Sequence, residues 1–238
     1  MEVRWQDVYH QLNAAGDEQQ LFRLIAACAK QLGFDYCCYG IRMPLPLSKP
    51  AVAVFDTYPD GWIEHYHRQN YVDVDSTVRD GAVCRDLIVW PDIDDVRSPF
   101  WEDARDHGLV FGAAQSSWGP HGELGLLSFA RSAERLSRAE TDWLRPNALW
   151  LANLSHTLMS GFVVPKLAPE VNAVLTVRER DVLRWTAEGK TACEIGEILG
   201  IAERTVNFHI RNIFEKLGAT NKVQAVVKAM SAGLLDTR

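Results

Sequence analysis

Residues 205–222, TVNFHIRNIFEKLGATNK, decide how the back of this 238-residue chain folds. Val206, Ile210, Ile213 and Leu217 recur at the 3.6-residue period of a helix, so that side packs inward. The opposite side presents Arg204, Asn207, Phe208 and Arg211, and Gly218 ends the run. Arg can pair bidentately with guanine and Asn with adenine, while an apolar group meets a thymine methyl. Such a face suits a polyanion, yet the chain's formal net charge is −6.

The distribution of charge resolves the conflict. Residues 1–169 hold 15 Lys and Arg against 22 Asp and Glu, whereas residues 170–238 hold 10 against 9. Within 203–228 five basic residues stand against two acidic ones. The acidity belongs to the front of the chain and the basic face is local, as in a nucleic-acid module attached to an acidic partner domain.

Working outward, the last third is helical and clearly punctuated. Thr176-x-x-Glu179 and Thr191-x-x-Glu194 are capping boxes that open two helices, ended by Gly189 and Gly200, and Asn221-x-x-Gln224 opens a fourth helix through Met230. Two short helices joined by a tight turn make a helix-turn-helix, whose second helix enters the major groove. GKT at 189–191 is not a phosphate loop, because position 184, where that motif needs glycine, is Arg184.

The front alternates helix and strand signals. Asp17 with Gln20 caps a helix that runs to Gly33. FDYCCYGIR, AVAVFDT and LIVW read as strands, with the proline-rich MPLPLSKP between the first two. A helix can begin at Pro59 and carry Trp62, Tyr66 and Gln69 on one face. Ser98 and Pro99 open a short helix. FGAAQSSW and ELGLLSFAR form a hairpin around GPHG. Ser137 with Glu140 caps a long helix to about Met159, bent at Pro146. Asp94-Asp95 falls in a loop. The expected fold is α+β: an N-terminal α-β-α sandwich on a mostly antiparallel sheet of about five strands, then a four-helix helix-turn-helix domain. The boundaries are 1–162 for the front domain, 163–174 for a linker marked by two prolines, and 175–238 for the DNA-binding domain.

Composition narrows the functional classes. No apolar run of about 18 residues marks a membrane span, and no secretory signal opens the chain, so a cytoplasmic protein is expected. Five cysteines without a CxxC pair read as apolar packing residues, and no metal site is indicated. His65 and His67, two apart, face different sides of a helix. No nucleophile–His–acid set stands out, so no catalytic residue is assigned. A receiver domain does not fit, because the chain opens with helices. YPDGWIEHYHRQNYVDVDSTV instead concentrates Tyr58, Trp62, Tyr66, Tyr71, Asp75 and Thr77. Tyr and Trp combine apolar bodies with polar tips, which suits an amphipathic ligand, and a buried Asp75 needs a donor. The same residues fit an aromatic core with a surface acid equally well.

LTxRExxVL, GKTxxEI, ERTVxxHxxNIxxKL and NKxxAV make the C-terminal segment resemble the DNA-binding domain of LuxR-type regulators almost end to end. FDYCCYGIR, TYPxGWxxHYxxxNYxxxDSTV, the VW of IVWPD and WEDARDxGL resemble the autoinducer-binding domain of the quorum-sensing LuxR subfamily over about residues 5–160. The resemblance implies a homodimeric transcription regulator that binds an N-acyl homoserine lactone and a two-fold symmetric promoter site. By it, Trp62 donates to the lactone carbonyl, Asp75 accepts the amide N–H, and Tyr58 and Ser128 reach the amide carbonyl. Tyr66, Trp90, Phe100, Trp101 and Ala104 line the ring and acyl chain, with Thr77 in the same set. The implied DNA contacts are Lys190, Thr191, Arg204, Thr205, Asn207, Phe208, Arg211, Lys216 and Lys222. No cofactor is implied beyond the signal ligand. Ile63 stands where relatives that prefer 3-oxo chains carry Arg, so an unsubstituted chain is expected, octanoyl first. Two departures stand out: Ala202 where the family has a capping Ser, and Ser76 where it often has Pro. The weaker alternatives are a response regulator with a non-lactone input and a lactone-processing enzyme.

Overall fold

The computed structural model describes residues 4–91 and 98–235; the expected Asp94–Asp95 loop lies outside them. The chain divides into two compact units. One comprises Met1–Arg42, Val52–Gly119 and Glu123–Val163, and the other Met43–Ala51, Pro120–Gly122 and Val164–Arg238.

In the first unit a five-stranded sheet carries helices on both faces. Its strands are β1 (Tyr36–Arg42), β2 (Val52–Asp56), β3 (Ile88–Val89), β4 (Phe111–Trp118) and β5 (Leu124–Arg131), in the order β2-β1-β5-β4-β3. Every pairing is antiparallel. Gly40 stands opposite Val54 and Leu126, and Cys38 opposite Asp56 and Ser128. Alternation along β1 sends Cys37, Tyr39 and Ile41 to one face and Cys38, Gly40 and Arg42 to the other.

The Tyr39 face is the packed one. It meets α2 (Glu18–Gln31) and α6 (Arg138–Leu167): Phe22 lies 5.8 Å from Phe55, and the Tyr39 hydroxyl is 2.8 Å from His156 Nδ1. α1 (Trp5–Asn13) joins this layer through a 2.8 Å bond from Trp5 Nε1 to Asn147. The opposite face lies under α3 (Trp62–Arg68), α4 (Ser76–Gly81) and α5 (Pro99–Asp106).

Two boundaries differ from the sequence expectation. α3 begins at Trp62 rather than Pro59, because Gly61 precedes it at φ 83° and a left-handed residue cannot sit inside a right-handed helix. α6 continues unbroken through Pro146 and Pro165 to Leu167, so residues 163–167 of the expected linker are helical. A short 3₁₀ turn, Pro169–Asn172, follows. Pro165 gives up its own N–H and crowds the carbonyl four residues earlier, but it stands only two residues before the helix end, where little of the ladder remains to be disturbed.

The second unit holds α7 (Val177–Ala187), α8 (Ala192–Leu199), α9 (Glu203–Leu217) and α10 (Lys222–Ser231). Both threonine capping boxes form with reciprocal bonds. The third differs: Asn221 caps Gln224 N, but the Gln224 side chain accepts from Thr220 N and Oγ1 instead. Leu175, Val182, Leu183, Ile195, Val206, Ile210, Ile213 and Leu217 form one buried cluster. The turn between α8 and α9 depends on Gly196, since a Cβ there would stand 2.7 Å from the carbonyl oxygen of Ile201. No helix among the described residues is long and apolar enough to cross a membrane.

Candidate functional site

The second face of the sheet encloses a cavity of about 300 Å³. Its floor comes from β1, β2 and β5, with Cys38, Gly40, Val52, Val54, Leu124, Leu126 and Ser128. Its roof is aromatic. Trp62, Tyr66 and Phe100 stand with ring centroids 6.0 Å apart in each pairing, and Trp101 lies 4.7 Å from Phe100 and 5.2 Å from Trp90. All ten residues singled out from the sequence as ligand contacts line this one cavity: Tyr58, Trp62, Tyr66, Asp75, Thr77, Trp90, Phe100, Trp101, Ala104 and Ser128. Ile63 lines it as well.

Asp75 is the buried acid of the wall. Its Oδ1 accepts from Thr77 N at 2.8 Å and Thr77 Oγ1 at 2.7 Å, and its Oδ2 accepts from the Tyr66 hydroxyl at 3.1 Å. Asp75 is thus the N-cap of α4, a helix the sequence reading missed. Ser76 occupies the first helical position, where proline is favoured because that N–H has no partner within the helix; serine starts the same turn. Burial raises the Asp75 carboxyl above its ordinary value, and the Thr77 and Tyr66 bonds offset only part of the rise. Tyr66 is also pushed up, first by burial and then by Asp75, and so remains a donor. The Val78 N–H also favours the ionised form, but Oδ2 takes only the Tyr66 hydroxyl, at 3.1 Å, and a carboxylate oxygen offers about two acceptor sites, so that oxygen keeps room for a further donor from the cavity.

Behind Trp62 lies a polar tie that the sequence reading did not find. His65 Nε2 and the Tyr71 hydroxyl both stand 2.5 Å from Asp103 Oδ2, and His107 Nδ1 lies 2.7 Å from the Asp103 carbonyl. The Tyr71 and His65 bonds hold the Asp103 carboxyl below its usual value. These contacts fasten α3 to α5 above the aromatic roof. The floor residues were missed too. Val52, Val54, Leu124 and Leu126 are ordinary strand residues, and only the register shows which face they share. No group of side chains suited to a metal ion occurs among the described residues.

On the C-terminal domain, Arg204, Asn207, Phe208 and Arg211 are exposed on one side of α9, with Phe208 58% exposed. Thr205 is partly buried at the start of that helix, and Lys222 is exposed at the start of α10. Lys190 and Thr191 sit before α8, where Glu194 engages both: Lys190 Nζ lies 3.7 Å from it and Thr191 closes the capping box. Lys216, exposed near the end of α9, also bonds within the domain. Its ammonium binds Glu179 Oε2 at 2.6 Å and the Val174 carbonyl at 3.0 Å, so it ties α9 to the start of α7 while its side chain stays partly exposed. Lys228 likewise caps α9 through the Leu217 and Gly218 carbonyls, at 3.0 and 3.2 Å. Two of the five basic residues counted in 203–228 therefore make bonds within the domain.

Two protein families match the chain. The autoinducer binding domain covers residues 17–159, and the bacterial regulatory proteins of the luxR family cover residues 173–229. The transcriptional activator protein SolR of Ralstonia solanacearum is 63% identical over 236 residues, spanning 99% of this chain and 100% of that one. The quorum-sensing regulator RhlR of Pseudomonas aeruginosa is 35% identical, over 97% of this chain and 96% of its own. The structure of SdiA, a regulatory protein of Escherichia coli, in complex with octanoyl-rac-glycerol matches with a TM-score of 0.87 at 30% identity, covering 100% of this chain and 99% of that one. Ligand and DNA are therefore the partners of the two domains, and the relatives are regulators rather than enzymes. This chain belongs to the LuxR-type quorum-sensing transcription regulators, with an autoinducer-binding domain followed by a luxR-family helix-turn-helix.

Proposed function

We propose that the signal is an N-acyl homoserine lactone, bound in the cavity of a domain spanning 1–162. That domain acts through residues 163–174 on a DNA-binding domain of 175–238. The observation that carries this reading is the chemistry of one wall: a buried carboxylate with spare acceptor capacity, beside an aromatic roof and an apolar floor. Asp75 takes the ligand amide N–H, Trp62 donates to the lactone carbonyl, and Tyr58 and Ser128 reach the amide carbonyl. The acyl chain then runs over Val54 and Leu126. Ile63 offers no charge to a 3-oxo group, which favours an unsubstituted chain of medium length, octanoyl first.

The regulator works as a homodimer on a two-fold symmetric site. Val223, Val227 and Met230 recur on one side of α10 and are 74%, 41% and 57% exposed, an apolar stripe suited to a second copy. DNA contacts come from Arg204, Thr205, Asn207, Phe208, Arg211 and Lys222, with Lys190 and Thr191 at the mouth of the turn. Ligand fills the cavity, adds its binding free energy to the folded state and shifts the population toward the dimer that binds DNA.

The test has two arms. Mass spectrometry of extract from protein expressed with a mixture of acyl-homoserine lactones should recover an intact lactone, with octanoyl enriched. Gel shifts on a symmetric promoter site should show ligand-dependent binding. Ala at Arg204, Asn207 or Arg211 should weaken that binding by about 1–3 kcal/mol where a base is read, and leave the bound ligand unchanged. Recovery of opened lactone would favour a hydrolase. Unchanged DNA affinity in all three variants would remove this face from the interface.

A further inference from the structure

We propose that Gly40 sets the length of acyl chain this protein accepts, an inference that rests on the lactone reading above. Glycine is a poor strand residue: it has no side chain to pack and loses the most conformational freedom on folding. Yet Gly40 sits in the middle of β1, paired on both sides, opposite Val54 on β2 and Leu126 on β5. Its backbone is not in the left-handed region, so conformation does not require glycine there. Packing does not require it either, because a Cβ built on Gly40 would meet no atom within 4 Å. Gly81 and Gly112 are different cases, where a Cβ would stand 2.9 Å from Leu126 Cδ1 and 2.4 Å from the Phe129 carbonyl. What a side chain at position 40 would occupy is the cavity itself, since Gly40 is part of its lining.

The position along the cavity gives that space its meaning. Cys38, Gly40 and Arg42 all line it from one face of β1, in steps of about 6.6–6.8 Å. Cys38 lies in register with Ser128, at the end that holds Tyr58 and Asp75. Arg42 lies in register with Val52 and Leu124, and Val52 is 52% exposed, so this end meets solvent. A chain anchored by its amide at Asp75 must cross Gly40 to reach Val52. The missing side chain is the opening through which longer chains pass, and a branched side chain there closes it.

The experiment is a dose-response series of the full-length protein against butanoyl-, hexanoyl-, octanoyl-, decanoyl- and dodecanoyl-homoserine lactone. It compares wild type with Gly40→Ala, Gly40→Val and Gly40→Leu, and measures retained ligand by mass spectrometry. The β-branched Val suits strand geometry, and all three side chains relieve the backbone of glycine's entropy cost, so the backbone is not the weak point. The longest chains should be lost first, with the cut-off moving to shorter chains from Ala to Leu. Discrimination per step should be about 10–200-fold, and the shortest chain that wild type answers should remain effective. Equal loss at every length would overturn the gauge, and so would unchanged preference in all three variants. Val54→Ala is the converse variant: it widens the passage beside Gly40 and should raise the response to dodecanoyl relative to octanoyl. A wild type that retains none of the five lactones sinks the ligand reading itself, and the gauge with it.

Discussion

Asp75 in the cavity and Glu179 at the start of α7 are both buried carboxylates that accept a helix-capping bond or take part in one, yet their surroundings differ. Asp75 has only neutral donors, Thr77, Tyr66 and the Val78 N–H, and burial keeps its pKa raised. Burial also pushes Glu179 up, but the Lys216 ammonium with the Thr176 bonds outweighs it and the pKa falls below normal. A carboxylate that finds its cation within the fold is structural. One that stays under-served beside a cavity is poised for something the fold does not supply. Lys216 on α9 follows the first logic, and the proposed lactone contact at Asp75 follows the second.

Four measurements test this contrast, the greatest change first. Lys216→Met keeps most of the apolar stem and strands Glu179 in a nearly dry site. Stranding a buried charge costs about 3–5 kcal/mol, and partial exposure of Lys216 puts the expected loss near the lower end. Hydrogen exchange of the full-length protein should show that loss across α7 and α9, with partial recovery in the Glu179→Gln, Lys216→Met double variant. Should protection hold while promoter affinity drops, Lys216 belongs among the phosphate contacts after all.

Next comes Asp75→Asn, which preserves shape and capping ability but replaces a charged acceptor. A charge-assisted hydrogen bond is worth about 1.5–3 kcal/mol, or roughly one to two decades of ligand sensitivity. A reporter titration that matches wild type would make Asp75 a structural cap only. The third variant is Ala202→Ser. Ala202 is the N-cap of α9 and its side chain makes no capping bond. Serine should stabilise the C-terminal domain by about 1 kcal/mol, read as slower exchange in α9; no change would mean the serine hydroxyl fails to reach the first-turn N–H groups.

The pH response is the smallest effect and the one whose sign separates the two carboxylates. Asp75 has a folded pKa above the ordinary 3.8, so the ligand-free fold binds the extra proton and loses stability as pH rises from 3.8 through the folded value. A ligand N–H favours the ionised form, so binding expels that proton and ligand affinity should rise with pH across the same window. Glu179 behaves in reverse. Its folded pKa lies below the ordinary 4.5, so its contribution is present above 4.5 and lost as pH falls through the lower value. Calorimetric affinity should therefore climb with pH in wild type and stay flat in Asp75→Asn. A flat wild-type profile would mean Asp75 does not change ionisation on binding.

Most of what was legible in the sequence has a local cause. The α9 face, the threonine capping boxes, Gly200 and Gly218 as helix ends, and the β4–β5 hairpin all rest on bonds a few residues apart. Periodicity and caps therefore reveal them. Composition and motif likewise marked the aromatic roof, since Trp62, Tyr66 and Asp75 sit close along the chain. Tertiary structure alone decided the rest. Only register brings Gly40 beside Leu126, and only packing brings Lys216 to Glu179, 37 residues away. The missed α4 has the same origin. Its six residues are too short to nucleate on their own propensity, and they hold because Asp75 is buried where Thr77 and Tyr66 can reach it. A helix face is written in consecutive residues, whereas a cavity exists only where distant segments leave space between them.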